Sequence, residues 1–263
     1  MARALIGHTG FVGGNLVEQA GGFTDCYNSK NVEDLAGRSF ELVVCAGAPA
    51  VKWKANQEPD ADRASLARLR HALERVRAEE LILISTVDVF PEPIGVDEAS
   101  PLSRESGQPY GLHRLWLEDF VRERFGRTTI VRLPALFGRG LKKNAIYDLL
   151  HGHRVEAIHP DGAFQFYDLD RLWADIERAR GAGLDLVHFA TEPLVIRDLA
   201  REIFGVELAN DFPAPAPRYD FHTRHASVFG ARGAYAYDAE TVRGDLARFV
   251  AAERARLAQE DPS

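Results

Sequence analysis

Ala4-Leu5-Ile6-Gly7-His8-Thr9-Gly10-Phe11-Val12-Gly13-Gly14-Asn15-Leu16-Val17 is the stretch on which the reading of this chain turns. A short apolar run enters a glycine-rich turn and continues as a helix-like segment. A first strand presents a dinucleotide's pyrophosphate to a helix N-terminus in this way. Gly7 and Gly10 permit a tight turn and close backbone approach, and Gly13 lets the helix lie against the sheet. The spacing is GxxGxxG, one residue wider than the GxGxxG of many dehydrogenases. A glycine-rich loop that merely caps a helix has the same spelling.

Outward from this turn, the pattern alternates strand and helix. A helix over about Phe11 to Ala20 is stopped by Gly21-Gly22, and Phe23 to Tyr27 reads as a second strand ending at Asn28-Ser29-Lys30. Nucleotide folds of this kind often carry a carboxylate at that end for the adenosine ribose hydroxyls. Asn28, Ser29 and Lys30 suit a 2′-phosphate instead, which tilts the cofactor expectation from NAD towards NADP; a solvated turn has the same composition. A short helix from about Val32 to Ala36 leads to a third buried strand, Glu41 to Cys45. Its exit, Ala46-Gly47-Ala48-Pro49, is made of small residues that allow a cofactor ribose to lie against the strand end.

Asp60 to Arg77 has apolar residues at helical spacing, with charges that read as a solvated face. Leu81-Ile82-Leu83-Ile84 continues into Ser85-Thr86-Val87-Asp88-Val89-Phe90, and Pro91, Pro93 and Gly95 end the run. Gln108-Pro109-Tyr110 opens a helix to about Phe125, and Thr129 to Pro134 is the next strand. The expected fold is α/β, a Rossmann-type doubly wound parallel sheet with helices on both faces. The dinucleotide-binding domain is placed at 1–140. The remainder, 141–263, holds short elements, a Val187 to Ala190 strand, a helix from about Ile196 to Phe204 and a C-terminal helix from about Ala239 to Leu257. It reads as a small substrate-side lobe threaded back onto the sheet, without a core of its own.

Composition narrows the partners. The 263 residues carry a net charge of −7 with pI near 5.7, so there is no basic footprint for nucleic acid or an anionic membrane. The apolar runs are too short to span a bilayer, and a strand begins almost at Met1, leaving no room for a signal peptide. The two cysteines, Cys26 and Cys45, read as small buried residues in a reducing cytoplasm. No metal is expected. His151 and His153 lack partners at ligand spacing and read as loop histidines.

Three pieces fall in one order: the glycine turn, Ser85-Thr86 at the end of a middle strand, and Tyr110 with Arg114 one helical turn later. In a doubly wound sheet all lie at the carboxyl edge of the strands, where such folds bind ligands. A tyrosine serves as acid and base for an alcohol and carbonyl pair when its pKa, about 10 when free, comes down towards neutrality. Three units correspond to about 4 kcal/mol. One cation about 4 Å away supplies roughly that at an effective dielectric near 20. Arg114 is therefore expected to lower Tyr110, and Thr86 to donate a hydrogen bond to the substrate oxygen.

With GHTGFVGGNL, ISTVDVF, QPYGLHRLWLE, VRLPALFGRG, FQFYDLDRLWADI and FATEPLVIRDLAREI in hand, the chain resembles an extended short-chain dehydrogenase/reductase of the NAD-dependent epimerase/dehydratase family. The resemblance covers most of the chain. It implies NAD or NADP held by Gly7, Thr9, Gly10, Phe11, Val12, Gly13, Ala46, Gly47, Ala48, Ser85 and Pro134, with Tyr110 as acid/base residue and Thr86 as its partner. Arg114 takes the charge and the nicotinamide ribose contact, and a homodimer through helices such as Leu112 to Phe125 follows by analogy. The departures are specific. YxxxR replaces the family's YxxxK, and arginine is longer, planar and more delocalised than lysine. Ala135 stands where an asparagine often seats sugar nucleotides. Asp88 occupies a position where dehydrating or decarboxylating members often carry an acid, and Val87 leaves the neighbouring acid missing. The implied activity is an NAD(P)-dependent oxidoreductase on a small hydroxyl or keto substrate, in the sugar or sugar-nucleotide class. The alternatives are a nucleotide-sugar epimerase or dehydratase that recycles its cofactor, and a non-catalytic NAD(P)-binding regulator.

Overall fold

The computed structural model describes residues 2–260. In chain order its elements are β1 (Arg3–Ile6), α1 (Phe11–Ala20), β2 (Asp25–Tyr27), β3 (Ser39–Cys45), α2 (Lys52–Gln57), α3 (Pro59–Glu74), β4 (Arg77–Thr86), α4 (Pro109–Arg124) and β5 (Thr128–Leu133). There follow β6 (Ala135–Phe137), α5 (Ala145–His151), β7 (Ala163–Phe164), β8 (Phe166–Asp168), α6 (Leu172–Gly181), β9 (Leu186–His188), β10 (Leu194–Val195), α7 (Ile196–Leu199) and α8 (Ala239–Glu260).

The chain forms two compact units. The first comprises the stretch through Glu92, Glu98–Leu133 and Asp170–His188. Its six-stranded sheet runs β2-β1-β3-β4-β5-β9, with every neighbouring pair parallel. Parallel strands covered on both faces read as continuous apolar runs, and Val43, Val44, Leu81, Leu83 and Ile130 are buried accordingly. α3 and α4 each begin at a proline, whose fixed φ and missing N–H suit a first helical turn. Leu66, Leu69 and Leu73 of α3 and Leu117 and Val121 of α4 belong to the same buried cluster as β1, β3 and β4.

β4 starts at Arg77, four residues before the apolar run, and takes in Glu79 and Glu80. Glu80 is buried because Arg180 of α6 grips both its oxygens at 2.7 Å. An apolar pattern cannot register a strand residue whose charge is matched from 100 positions away. α2 was not foreseen either, since its six residues, mostly polar, carry no helical periodicity.

The second unit comprises Pro93–Asp97, Pro134–Leu169 and the chain from Phe189 onward. Beyond Pro93–Asp97 it takes up the chain again at Pro134, and Asp170–His188 returns to the first unit to add α6 and β9. β6 pairs with β8 in parallel, and β7 pairs with β10 antiparallel. The expectation of a lobe without its own core is corrected here. Phe137, Phe166, Ile196, Leu199, Val242 and Leu246 form a buried cluster contained within this unit. Its apolar residues come from five short elements and from α8, so no local window shows them as one core.

Among the described residues no helix is long and apolar enough to cross a membrane, and no cluster of side chains suited to a metal ion occurs.

Candidate functional site at the strand edge of the first unit

The glycine turn is built by close approach. Gly7 has φ of +90°, and a Cβ there would stand 2.3 Å from the Ala46 carbonyl oxygen. A Cβ on Gly13 would stand 2.0 Å from the Gly7 carbonyl oxygen, so α1 leaves the turn directly against its backbone. Gly10 caps α1 with no side-chain hydrogen bond, and no acidic residue lies in the first turn. The helix thus offers bare N–H groups and the positive end of its dipole. Thr9 and Gly10 are exposed, Phe11 and Val12 half-buried. Ala46, Gly47 and Ala48 are half-buried at the end of β3, beside Gly7. Pro134, half-buried, directly follows β5 and belongs to the second unit.

At the end of β2 the Asn28 side chain is occupied by its own turn. Its Oδ1 accepts the Lys30 N–H at 2.8 Å, while the Asn28 N–H donates to Asn31 Oδ1 at 2.7 Å. Ser29 and Lys30 are exposed. Arg68 of α3 reaches this turn, donating to the Ser29 carbonyl at 3.1 Å and to Glu33 at 3.3 Å. Arg68 lay within the charge run read as a solvated face.

Ser85 and Thr86 end β4 side by side but face different partners. The Ser85 hydroxyl donates at 2.5 Å to Glu118, a fully buried α4 carboxylate that also receives Arg132 of β5 at 2.6 and 3.0 Å. This network ties α4 to the sheet. Thr86 accepts the Asp88 N–H at 3.1 Å, and its hydroxyl stands 3.4 Å from Asp88 Oδ2. Asp88 is paired with Lys52 of α2 at 2.8 Å.

Tyr110 is placed by two devices that the sequence reading missed. Its N–H donates to Asn56 Oδ1 of α2 at 3.0 Å. Next to it, a Cβ on Gly111 would stand 2.0 Å from the Asp88 carbonyl oxygen, so only glycine lets α4 come this close to the end of β4. Gly111→Ala is expected to lower stability by about 1–3 kcal/mol through overpacking. Thermal unfolding measures it, and an unchanged midpoint would show that α4 has room to move.

Arg114 departs from its expected arrangement. It is buried, and its guanidinium makes a two-pronged pair with Asp62 of α3, Nη1–Oδ2 2.5 Å and Nη2–Oδ1 2.9 Å. It also donates to the carbonyls of Tyr110, at 3.1 Å, and Pro49. Its Cζ lies 3.9 Å from the Tyr110 ring centroid, so it stacks on the face of the ring. His113 adds a 2.8 Å contact to Asp62. Burial pushes Asp62 up, but hydrogen bonds from Arg114 and His113 outweigh it and hold the carboxyl below its ordinary value. Arg114 is thus a neutralised, fixed strut rather than a cation presented to a ligand.

The consequence for Tyr110 runs against the sequence expectation. Burial pushes its pKa above the ordinary 10, a push that Asp88 reinforces; Arg114, Lys52 and the Thr86 side chain act in the lowering direction and do not offset it. At neutral pH the side chain is the phenol. Asp62 was legible in one respect: Asp62, Leu66, Leu69 and Leu73 share one helical stripe, so a charge stood in phase with the buried face.

No protein-family model matches the sequence, and no curated protein matches it. Solved structures do. MoeE5 bound to UDP-glucuronic acid and NAD aligns with a TM-score of 0.75 at 17% identity, over 97% of this chain and 100% of that one. The dTDP-4-dehydrorhamnose reductase of Bacillus anthracis with NADP gives 0.72 at 18%, covering 95% and 98%. The UDP-glucose 4-epimerase of Thermotoga maritima with UDP-glucose gives 0.70 at 16%, covering 98% and 100%.

The chain shares the fold of these reductase and epimerase structures. Within it the chain keeps the glycine turn, the Thr86 strand end and the Tyr110 helix in the order the sequence showed. The residue one turn after the tyrosine is, by contrast, engaged by a carboxylate of a neighbouring helix.

Proposed function

We propose that this chain is an NAD(P)-dependent oxidoreductase moving a hydride between nicotinamide and a hydroxyl or keto carbon of a small substrate of the sugar or sugar-nucleotide class. The observation that carries this reading is the placement of Tyr110, at the start of α4, against the end of β4 that bears Thr86, at the carboxyl edge of the sheet that also bears the glycine turn. The solved relatives include reductases and epimerases whose structures hold NAD or NADP and UDP-sugars.

The bare N-terminus of α1 and the cradle that side chains on Gly7 and Gly13 would fill fit a pyrophosphate. Gly7 to Gly13 would hold that group, and Ala46 to Ala48 would leave room for a ribose. A bound nicotinamide supplies or accepts the hydride. Thr86 orients the substrate oxygen by a hydrogen bond, and Tyr110, protonated at neutral pH, donates the proton that completes reduction of a ketone. In the oxidising direction its phenolate takes the proton back. A second reading, an epimerase or dehydratase that reoxidises its own cofactor, draws on Asp88, an acid beside Thr86. Full exchange of cofactor with solvent during turnover would exclude it.

For the cofactor we favour NADP. Lys30 and Arg68 flank the turn after β2, and neither Asn28 nor Ser29 offers a carboxylate to ribose hydroxyls. Thermal unfolding with each dinucleotide tests both points: a ligand at about 100 times its Kd stabilises by about 2.7 kcal/mol. A larger shift with NADP is expected, and Arg68→Ala is expected to weaken NADP by about tenfold while leaving NAD unchanged, a loss of roughly 1.4 kcal/mol. No shift with either dinucleotide defeats the functional proposal.

A further inference from the structure

His8, the residue after Gly7 in the glycine turn, is committed at one of its two ring nitrogens. Its Nδ1 lies 2.9 Å from the Tyr27 carbonyl, the group at the end of β2 that also accepts the Gly7 N–H at 2.7 Å. A carbonyl only accepts, so Nδ1 carries the hydrogen and the neutral ring keeps its lone pair at Nε2. Nε2, on the far side of the ring, has no hydrogen-bond partner among the described residues. It is not one of the buried side-chain atoms left without a partner, so it opens to solvent. The half-buried ring is thus held at one nitrogen and free at the other.

Tyr27 leads straight into Asn28-Ser29-Lys30, the turn that Arg68 reaches at the Ser29 carbonyl. In a nucleotide fold the end of the second strand, about twenty residues past the glycine turn, meets the adenosine ribose at its 2′ position. His8 therefore fastens the glycine turn to the strand end that reads that position. The charged groups on the elements meeting here are Lys30, Arg68 and Glu33, the last two paired at 3.3 Å, and Asp34 of the short helical turn Val32–Leu35. Asp25 of β2 is paired with Arg38 at 2.7 Å. The first turn of α1 has no acidic residue, and the exit of β3 through Pro49 has no charged one.

We propose that His8 makes the cofactor preference depend on pH, favouring NADP when its ring is protonated and NAD when it is neutral. This rests on the reading of the first unit as a dinucleotide site. The imidazolium donates from Nε2 to the 2′-phosphate and adds its charge to those of Lys30 and Arg68. The neutral ring presents a lone pair at the same atom, which repels a phosphate oxygen and accepts the 2′-hydroxyl of NAD. The other neutral tautomer is closed to it, because it would turn the Nδ1 lone pair on the Tyr27 carbonyl. Histidine is the side chain that changes charge between about pH 5 and 8.

The test is the ratio of the Kd values for NAD and NADP, measured by calorimetry from about pH 5.5 to 8.5. A 2′-phosphate itself takes up a proton near about pH 6, so each ratio is divided by that of His8→Gln, which has no titrating group at this position. The normalised preference for NADP is expected to rise about tenfold from the alkaline to the acid end, the worth of one charge-assisted hydrogen bond. His8→Lys, charged throughout, is expected to hold the acid-end preference at every pH. His153→Gln, an exposed histidine of the second unit paired with Asp148, serves as the control and keeps the parent's pH dependence. Circular dichroism melts confirm that each variant is folded. A normalised ratio that stays flat or falls towards acid, or a His8→Lys ratio that follows the parent's, overturns the proposal. A flat ratio with both dinucleotides bound leaves the functional reading standing, whereas binding of neither defeats both.

Discussion

Asp62→Ala is expected to destabilise the protein by about 3–5 kcal/mol, because it leaves the Arg114 guanidinium buried without its counter-charge. The two carbonyls that Arg114 also contacts satisfy some of its N–H groups but carry no charge. Asp62→Asn is expected to cost less, since an amide oxygen still accepts one hydrogen bond. At about 2–4 °C per kcal/mol for chains near this length, the alanine variant is expected to unfold roughly 6–20 °C earlier. A melt within a degree of the parent would show that the pair contributes nothing. The pH dependence has a defined sign. A carboxyl held below its unfolded value adds stability above that value and loses it as pH falls through the folded one. The Asp62 contribution is therefore complete above about pH 4 and fades below it. The Asp62→Ala protein lacks that acid-sensitive part, so the two stability curves are expected to converge at low pH.

The second large effect is on turnover. Tyr110→Phe removes one hydroxyl and leaves the ring stacked on Arg114, so the fold and the glycine turn are preserved. Loss of the acid/base group is expected to reduce the rate by roughly 10²- to 10⁴-fold, with the thermal shift by dinucleotide intact. The assay is reduced-nicotinamide absorbance across keto sugars and sugar nucleotides, and a variant as fast as the parent removes Tyr110 from the mechanism. The raised pKa gives a direction as well. Reduction, which needs the phenol, is expected to be flat through neutral pH, whereas oxidation, which needs the phenolate, is expected to climb with pH towards alkaline values. Arg114, whose charge is matched by Asp62 2.5 Å away, acts to lower the Tyr110 pKa, and burial of the phenol outweighs it. An ion pair presents a dipole to its surroundings, and a dipole's potential falls off faster than that of the single charge assumed from YxxxR.

The sequence by itself determined the architecture of the first unit: apolar strands at β1, β3, β4 and β5, helices between them, and Gly7, Thr86 and Tyr110 at one edge of a parallel sheet. These are readable because strand runs, helical stripes and glycine turns are written within a few neighbouring residues. What only the tertiary structure decided is which charge meets which. Arg114 and Asp62 lie 52 residues apart, Lys52 and Asp88 lie 36 apart, and Arg180 and Glu80 lie 100 apart. The close approach of Gly111 to Asp88 and the gathering of the second unit's core are of the same kind. Coulomb interactions depend on distance in space and on burial, and neither is a function of separation along the chain. A tyrosine with a cation one turn later therefore specifies a face of a helix, and the packing of α3 against that face settles what that cation is paired with.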